Sequence, residues 1–463
     1  AKGNAEQPHM RRTQSRESMS QRLSRVREAA KQRKKERFTA LFHLLTAEAL
    51  ENAFLSLSRK AAAGVDGVRW KDYAENLKVN IADLHRRLHQ GSYRAQPGRR
   101  HYIPKADGKQ RPLGIASLED KIVQYALVKI LNAVYENDFM GFSYGFRPGR
   151  SQHNALDALA TGLVRTNVNW VLDADISQFF DKVSHEWLIR FIEHRIGDQR
   201  VIRLIRKWLT AGTSEEGEWR ASEEGTPQGA VISPLLANIY LHYVFDLWAH
   251  QWRRRHATGN VVMVRYADDI VIGFDKRIDA QCFRIAMQRR LKEFGLTVHP
   301  KKTRLMEFGR FAAENRASRG KGKPETFNFL GFTHISGKDR SGRFMLIRKT
   351  RRDRMTATLK AIKDGLRKRW HYSIPEQGKW LRRVVQGYLN YHSVPGNYPM
   401  MRKFRIYVTD LWRRALRRRS QQDDTTWTKA NRLAAVWLPK VRVLHPWPVE
   451  RFTARHPRQE PGA

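Results

Sequence analysis

Two apolar runs, residues 261–264 and 270–274, stand on either side of Arg265-Tyr266-Ala267-Asp268-Asp269. Short runs of this kind, rich in Val and Ile and closely spaced, predict a buried strand pair joined by a tight turn. The prediction puts adjacent carboxylates at the tip of the hairpin, where burial and mutual repulsion are costly unless something cationic holds them. A third apolar run, Trp170 to Asp175, also ends in an acid. Three convergent carboxylates form an oxygen-rich site suited to Mg²⁺, which keeps waters and is completed by substrate phosphates. Two such ions can clamp the attacking and leaving oxygens of a phosphoryl transfer. An Asp-Asp pair by itself also fits a turn or a helix cap, so the rest of the chain has to decide.

The charge balance points the same way. Among 463 residues, 87 are Lys or Arg and 45 are Asp or Glu, a formal net charge of +42. A chain this basic selects a polyanion as its partner. With 41% apolar residues and 13 Trp it can build a large core, which excludes a disordered chain and a small disulfide-stapled scaffold. Its one cysteine, Cys282, excludes a disulfide framework and a cysteine-rich zinc module, and reads as a small buried hydrophobe. The longest nearly uncharged stretch, residues 230–245, is too short for a bilayer and contains Pro234, Asn238 and His242. No secretory signal opens the chain. A soluble, cytoplasmic protein with no membrane partner is expected.

Helical and strand patterns alternate along the chain. Residues 1–38, with 12 Lys or Arg against 4 acids, read as a basic helix or arm. Helical periodicity follows from Thr46 and again up to Leu88. Strands flank Asp107-Gly108-Lys109, the look of a hairpin turn. Helices are expected over 119–135 and 185–209, and a charged hairpin over 215–224. Gly225-Thr226-Pro227-Gln228-Gly229 should open a long apolar helix running to Trp248, and strands are expected near 296–299 and over 327–332. Residues 345–419 hold 21 Lys or Arg against 4 acids, in three helical stretches broken at Pro375 and Pro395. The segment from Ser420 onward gives no readable fold.

Against this background Tyr266-Ala267-Asp268-Asp269 resembles the Y-A-D-D motif of reverse transcriptases, specifically those of the group II intron family. Further motifs of that family follow in the same order. They are Ile103-Pro104-Lys105 with Arg111-Pro112-Leu113-Gly114-Ile115, then Ser143 to Ser151 (SYGFRPGRS), then Asp175-Ile176-Ser177-Gln178-Phe179-Phe180-Asp181. Gly225 to Gly229, Ser233 to Asn238, Pro300-Lys301-Lys302-Thr303 and Phe329-Leu330-Gly331-Phe332 complete the series. The resemblance implies an α+β right-hand polymerase with a mixed or antiparallel palm sheet and a C-terminal helical thumb. It divides the chain into a basic extension (1–40), fingers (41–170), palm with interleaved fingers segments (171–344), thumb or maturase domain (345–419) and a DNA-binding-like tail (420–463).

It also implies roles. Asp175, Asp268 and Asp269 become the catalytic acids, holding two Mg²⁺ ions, or Mn²⁺ in their place, with the Ile176 carbonyl as a further ligand. Lys105, Arg111, Phe180, Gln228, Ala267 and Lys302 line the nucleotide pocket, Phe180 excluding a ribose 2′-hydroxyl and Lys302 assisting the pyrophosphate leaving group. Arg147 and Arg150 contact the template backbone, and Arg367, Arg369, Arg382, Arg383, Arg413 and Arg414 hold RNA. The partners implied are template and intron RNA, a DNA primer or target and deoxynucleoside triphosphates. With no cysteine after Cys282 the family's endonuclease is expected to be lacking. A domesticated relative in DNA repair or phage defence, and a splicing factor without catalysis, are the rival readings; intact acids speak against the second.

Overall fold

The computed structural model describes residues 18–104, 110–419 and 425–455. The chain is α+β and divides into two units, one formed by residues 1–139 and 178–243, the other by 140–177 and 244–463.

In the first unit the helix Leu118–Tyr135 is buried on almost every side. A helix buried that way must be covered all round. The helices Met19–Gln32, Ala47–Ser56 and Ser233–Leu241 pack on it. The basic N-terminal helix is real: Ser18 and Gln21 form a reciprocal cap at its start. Its exit is held by Arg195, which is buried, pairs with Asp138 and donates to the carbonyls of Arg33 and Glu36. A four-stranded sheet runs in the order Gln110–Ile115, Gly98–Pro104, Thr213–Glu215, Glu218–Arg220. Its last pair is the charged hairpin expected from sequence.

The predicted long helix to Trp248 is present, but it starts eight residues later than expected and carries a π-helical turn. Residues 225–232 form turns, and helix begins only at Ser233. The backbone explains this, since the Gly225 and Thr226 amides donate to the carbonyls of Val183 (2.8 Å) and Phe180 (2.7 Å) and Gly229 has a φ of +105°. After Leu241 comes a π-helical turn, His242–Asp246, then the helix Leu247–Arg255.

The second unit is built on an antiparallel sheet in the order Val261–Tyr266, Asp269–Phe274, Trp170–Asp175, Arg304–Glu307. The hairpin read from the two apolar runs is its centre. Helix Gln152–Arg165 covers one face through Leu156, Leu159 and Leu163, which join Val171, Val262, Val264 and Val271 in one core. Helix Arg277–Lys292 packs on the same strands as well. Coverage by helices is why these strands read as continuous apolar runs instead of alternating ones. The buried stripe of the Arg277–Lys292 helix is Ala280, Phe283, Met287 and Leu291, and Cys282 falls outside it. Cys282 is exposed, not buried as expected, because one residue of helix turns it about 100° away from Phe283.

Only a single bridge, Ile176 to Val298, forms where a strand was expected near 296–299. The 327–332 strand is in fact two, Phe327–Phe329 and Phe332–Lys338, turning at Leu330-Gly331 and paired onward with Phe344–Thr350. Helices Arg352–Arg367, Ile374–His392 and Tyr398–Arg417 enclose a core around Leu366, Leu381, Val385, Phe404, Val408 and Trp412. The three helical stretches are separated beside Pro375 and Pro395, and Pro375 starts the second: it occupies the first turn, where its missing N–H costs nothing, behind a Ser373–Glu376 capping box. The unreadable C-terminal segment contributes two helices, Trp427–Trp437 and Pro448–Arg455, the latter packed on Gln152–Arg165.

Candidate active site

The register of the sheet in the second unit brings the acids together. Asp175 is the direct cross-strand partner of Asp269, and Asp269 is in turn opposite Tyr266. Residues paired this way share a face, and so does Asp173, two residues before Asp175 on the same strand. The sheet face that packs on the Gln152–Arg165 helix at one end is therefore acidic at the other. Asp268 stands with Ala267 in the two-residue connection, where Ala267 takes a left-handed φ of +56°.

The carboxylates perturb one another. Asp269 is open to solvent at its tip but crowded by protein atoms, and this desolvation, followed by the charges of Asp268, Asp175 and Asp173, pushes its pKa up to about 7. Asp173 rises to about 6, chiefly through burial, with Arg304 opposing and Asp175 reinforcing the shift. A lysine stands against Asp175: Lys302 Nζ donates to Asp175 Oδ2 at 2.9 Å with its side chain 63% exposed, and its pKa is raised by that bond and by the charges of Asp175, Asp269 and Asp268.

As they stand, no three Asp, Glu, His or Cys side chains among the described residues are spaced to hold an ion. The donor set still fits a hard divalent cation by chemistry. It is all oxygen, the charges of Asp268, Asp175 and Asp173 all act on Asp269, and a lysine ammonium already occupies the neighbourhood. Binding a cation there would release the proton that Asp269 holds near neutral pH.

Next to the acidic turn lies an ion pair that the sequence did not suggest. Arg265 is fully buried and forks onto both carboxylate oxygens of Asp246, at 2.7 Å and 2.6 Å. It also donates to the Ser143 hydroxyl at 2.7 Å and to the Ala267 carbonyl at 3.0 Å. Its backbone is strapped too: the Arg265 amide donates to the Phe142 carbonyl and the Tyr144 amide to the Arg265 carbonyl. Gly145 lies so close to the turn that a Cβ there would sit 2.3 Å from the Ala267 nitrogen. A charge inside an apolar strand run was the available signal for Arg265; Asp173, at period two from Asp175, was legible as well.

Arg147 does not face a template. It is 6% exposed and donates to the carbonyls of Met140 (2.8 Å) and Ser143 (2.7 Å), so a polar loop consumes the charge that was expected to meet phosphate. Arg150 donates to the Ser143 carbonyl at 3.1 Å and lies over the Tyr144 ring at 5.1 Å. Both brace the segment that carries Ser143 and Gly145.

Other predicted residues lie in the first unit. Phe179 is the core residue of the pair, meeting Tyr240, while Phe180 is half-buried and packs edge-on against Phe179 at 5.3 Å. Gln228 sits in the turns before Ser233 and not at a helix start; its Nε2 donates to Asp181 Oδ1 at 2.6 Å, and its carbonyl accepts from the Gly114 amide at 2.6 Å. Phe180, Asp181 and Gln228 are thus one cluster. Arg111 is exposed on the Gln110–Ile115 strand, opposite Ile103. Lys105 lies outside the described residues. In the second unit Ile176 is buried directly after the Asp175 strand. Arg367 and Arg383 are exposed. Arg369 stacks on Trp380, Arg382 donates to the Val436 and Trp437 carbonyls, and Arg413 and Arg414 pair with Asp410. Much of that basic surface therefore also holds its own helices in place.

The site is an acid-edged antiparallel sheet with a lysine beside it, in a strongly basic chain. A model of the reverse transcriptase (RNA-dependent DNA polymerase) family matches residues 103–334. That is half of the chain, and the chain belongs to this family. It is 43% identical over 206 residues to Protein YkfC of Escherichia coli, covering 43% of this chain and 54% of that protein. It is 37% identical over 223 residues to the group II intron-encoded protein LtrA of Lactococcus lactis, covering 48% and 37% respectively. Nuclear intron maturase 2 of Arabidopsis thaliana is 29% identical over 110 residues, 23% of this chain and 15% of that one. The matched segments span about half the length of these relatives or less. Among the described residues no helix is long and apolar enough to cross a membrane.

Proposed function

We propose that the chain is an RNA-directed DNA polymerase of the group II intron type, which copies RNA into DNA and binds its own intron RNA as a maturase. The observation that carries this is the register that sets Asp175 opposite Asp269 beside the Asp268 turn, inside the segment matched by the reverse transcriptase family. The strand pair, its acids and the flanking helices are the palm, residues 171–344 with interleaved segments. Residues 41–170 supply fingers, 345–419 the thumb or maturase domain, and 1–40 and 420–463 the flanking nucleic-acid grips. The intron-encoded assignment leans on the names of the relatives, LtrA and the maturase among them.

Phosphoryl transfer is positioning plus charge neutralisation. Asp175, Asp268 and Asp269, with the Ile176 carbonyl, would hold two Mg²⁺ ions, which supply neutralisation of the triphosphate and activation of the primer hydroxyl. Arg111 and Lys105 draw the triphosphate in. Phe180 fills the space a ribose 2′-hydroxyl would need, and Gln228, oriented by its bond to Asp181, borders the same cluster. Lys302, protonated at neutral pH, is placed to give charge and a proton to the departing pyrophosphate. Primer extension on an RNA template with deoxynucleotides and Mg²⁺ tests the proposal, comparing the intact chain with Asp268→Ala. Extension by the first and none by the second is expected. Absence from both would overturn the polymerase and leave an RNA-binding splicing factor.

A further inference from the structure

We propose that Arg265 and Asp246 are positioning residues for the acidic turn, acting through the Ala267 carbonyl. The proposal rests on the polymerase reading for its chemistry, while the geometry stands without it. Taking a guanidinium and a carboxylate out of water is expensive, and in a protein core a well-packed apolar pair usually serves stability as well or better. A full charge pair at 0% exposure, one member of it inside an apolar strand, therefore asks for a geometric reason.

The reason lies in where the remaining donors go. The fork onto Asp246 fixes the guanidinium plane. That plane then presents a donor to the Ala267 carbonyl at 3.0 Å, on the residue between Tyr266 and Asp268. Ala267 has a φ of +56°, which a residue with a Cβ holds only when its surroundings over-determine it. A two-residue turn that could otherwise relax is thus pinned at its first residue, and the backbone of Asp268 and Asp269 with it. The anchors of the guanidinium come from separate places in the chain. Asp246 closes the π-helical turn His242–Asp246, a local widening of the kind often found beside functional sites, and Ser143 comes from the loop strapped along Arg265. No metal ligand is assigned to either residue; they set where the ligands stand.

The discriminating variant removes the charges and keeps the volume: Arg265→Met with Asp246→Leu. Three readouts apply to the full chain, namely the thermal midpoint, single-turnover primer extension over a range of deoxynucleotide concentrations, and amide hydrogen exchange of residues 266–270. The pair is expected to fold with little loss of stability. Its maximal extension rate should fall on the order of 100-fold, the scale of about 1 Å of misplacement, with KM for the nucleotide changed by less than about threefold. Turn amides should exchange roughly ten times faster. A purely structural pair predicts a folded variant with unchanged rate and exchange, and that result would overturn the proposal. If the double variant does not fold, Ser143→Ala decides, since it keeps the ion pair and removes one hydrogen bond of the guanidinium. Faster turn exchange and a lower maximal rate support the proposal, and unaltered values for both refute it. Should the intact chain fail to extend primers, the polymerase reading falls, and the exchange measurement alone still judges the pinning.

Discussion

A methyl group at Gly145 tests whether the acidic turn is held to ångström tolerance. A Cβ there would stand 2.3 Å from the Ala267 nitrogen, 3.0 Å from the Tyr266 carbonyl carbon and 3.2 Å from the Ala267 Cα. These are backbone atoms, so no side chain can swing aside. Ordinary contact begins near 3.4 Å, so the two backbones must separate by at least 3.4 − 2.3 = 1.1 Å. The displacement acts on the residue next to Asp268, and about 1 Å at a reacting centre costs on the order of 100-fold in rate, or ~2.7 kcal/mol of barrier. Gly149 supplies the control: its φ is +71°, but nothing lies within 4 Å of where a methyl would stand, so Gly149→Ala should cost roughly 1 kcal/mol of stability through the backbone alone. The assay is single-turnover primer extension beside thermal unfolding of both variants. Gly145→Ala should lose rate out of proportion to stability, and Gly149→Ala should lose stability without rate. A folded Gly145→Ala chain extending at the rate of the unmodified one would refute the reasoning.

Other predictions use different parts of the molecule. His334 is fully buried, lies flat against Phe327 at 4.8 Å and faces Arg348 across the strands; burial, then that charge, hold its pKa down at about 3. The unfolded chain takes up its proton below about 6.5, so this contribution to stability is complete at pH 7 and is lost as pH falls toward 3. Between pH 7 and 5 the loss should be about 2 kcal/mol in urea unfolding, and His334→Phe should remove that part of the slope. Phe180→Ala should raise ribonucleotide incorporation relative to deoxynucleotide by on the order of tenfold to a hundredfold; unchanged sugar selectivity would end the assignment of its role. Neutralising Arg367, Arg383 and Arg414 together should lower the slope of log affinity for RNA against log salt by about 2 to 3. An unaltered slope would show that these cations do not meet phosphate.

The hairpin with its acids was legible because two covered strands must be largely apolar, so adjacent acids between two apolar runs mark their connection. The Lys302 partnership needed the motif order, since Lys301 next to it reads the same. Cys282 was misread because helical phase, not residue type, decided its exposure. Arg147 was misread because a cation in a glycine- and proline-containing loop looks like a phosphate ligand, whereas here the loop's own carbonyls consume it. The helix expected from Gly225 starts only at Ser233 because backbone amides that look ready to start it already donate to residues some 40 positions earlier in the chain.

By itself the sequence determined the composition of the site: the acids on strands that must be buried, the basic surroundings, and a family whose motifs occur in order. Local periodicity and charge carry that information, because burial of a strand and repulsion between neighbouring carboxylates depend on residues close in the chain. Tertiary structure alone decided the register that sets Asp175 opposite Asp269, the raised pKa of Asp269, and the buried Arg265 that joins Asp246, Ser143 and Ala267. Each depends on groups that chain distance does not relate, which only packing can bring within hydrogen-bonding or Coulombic reach.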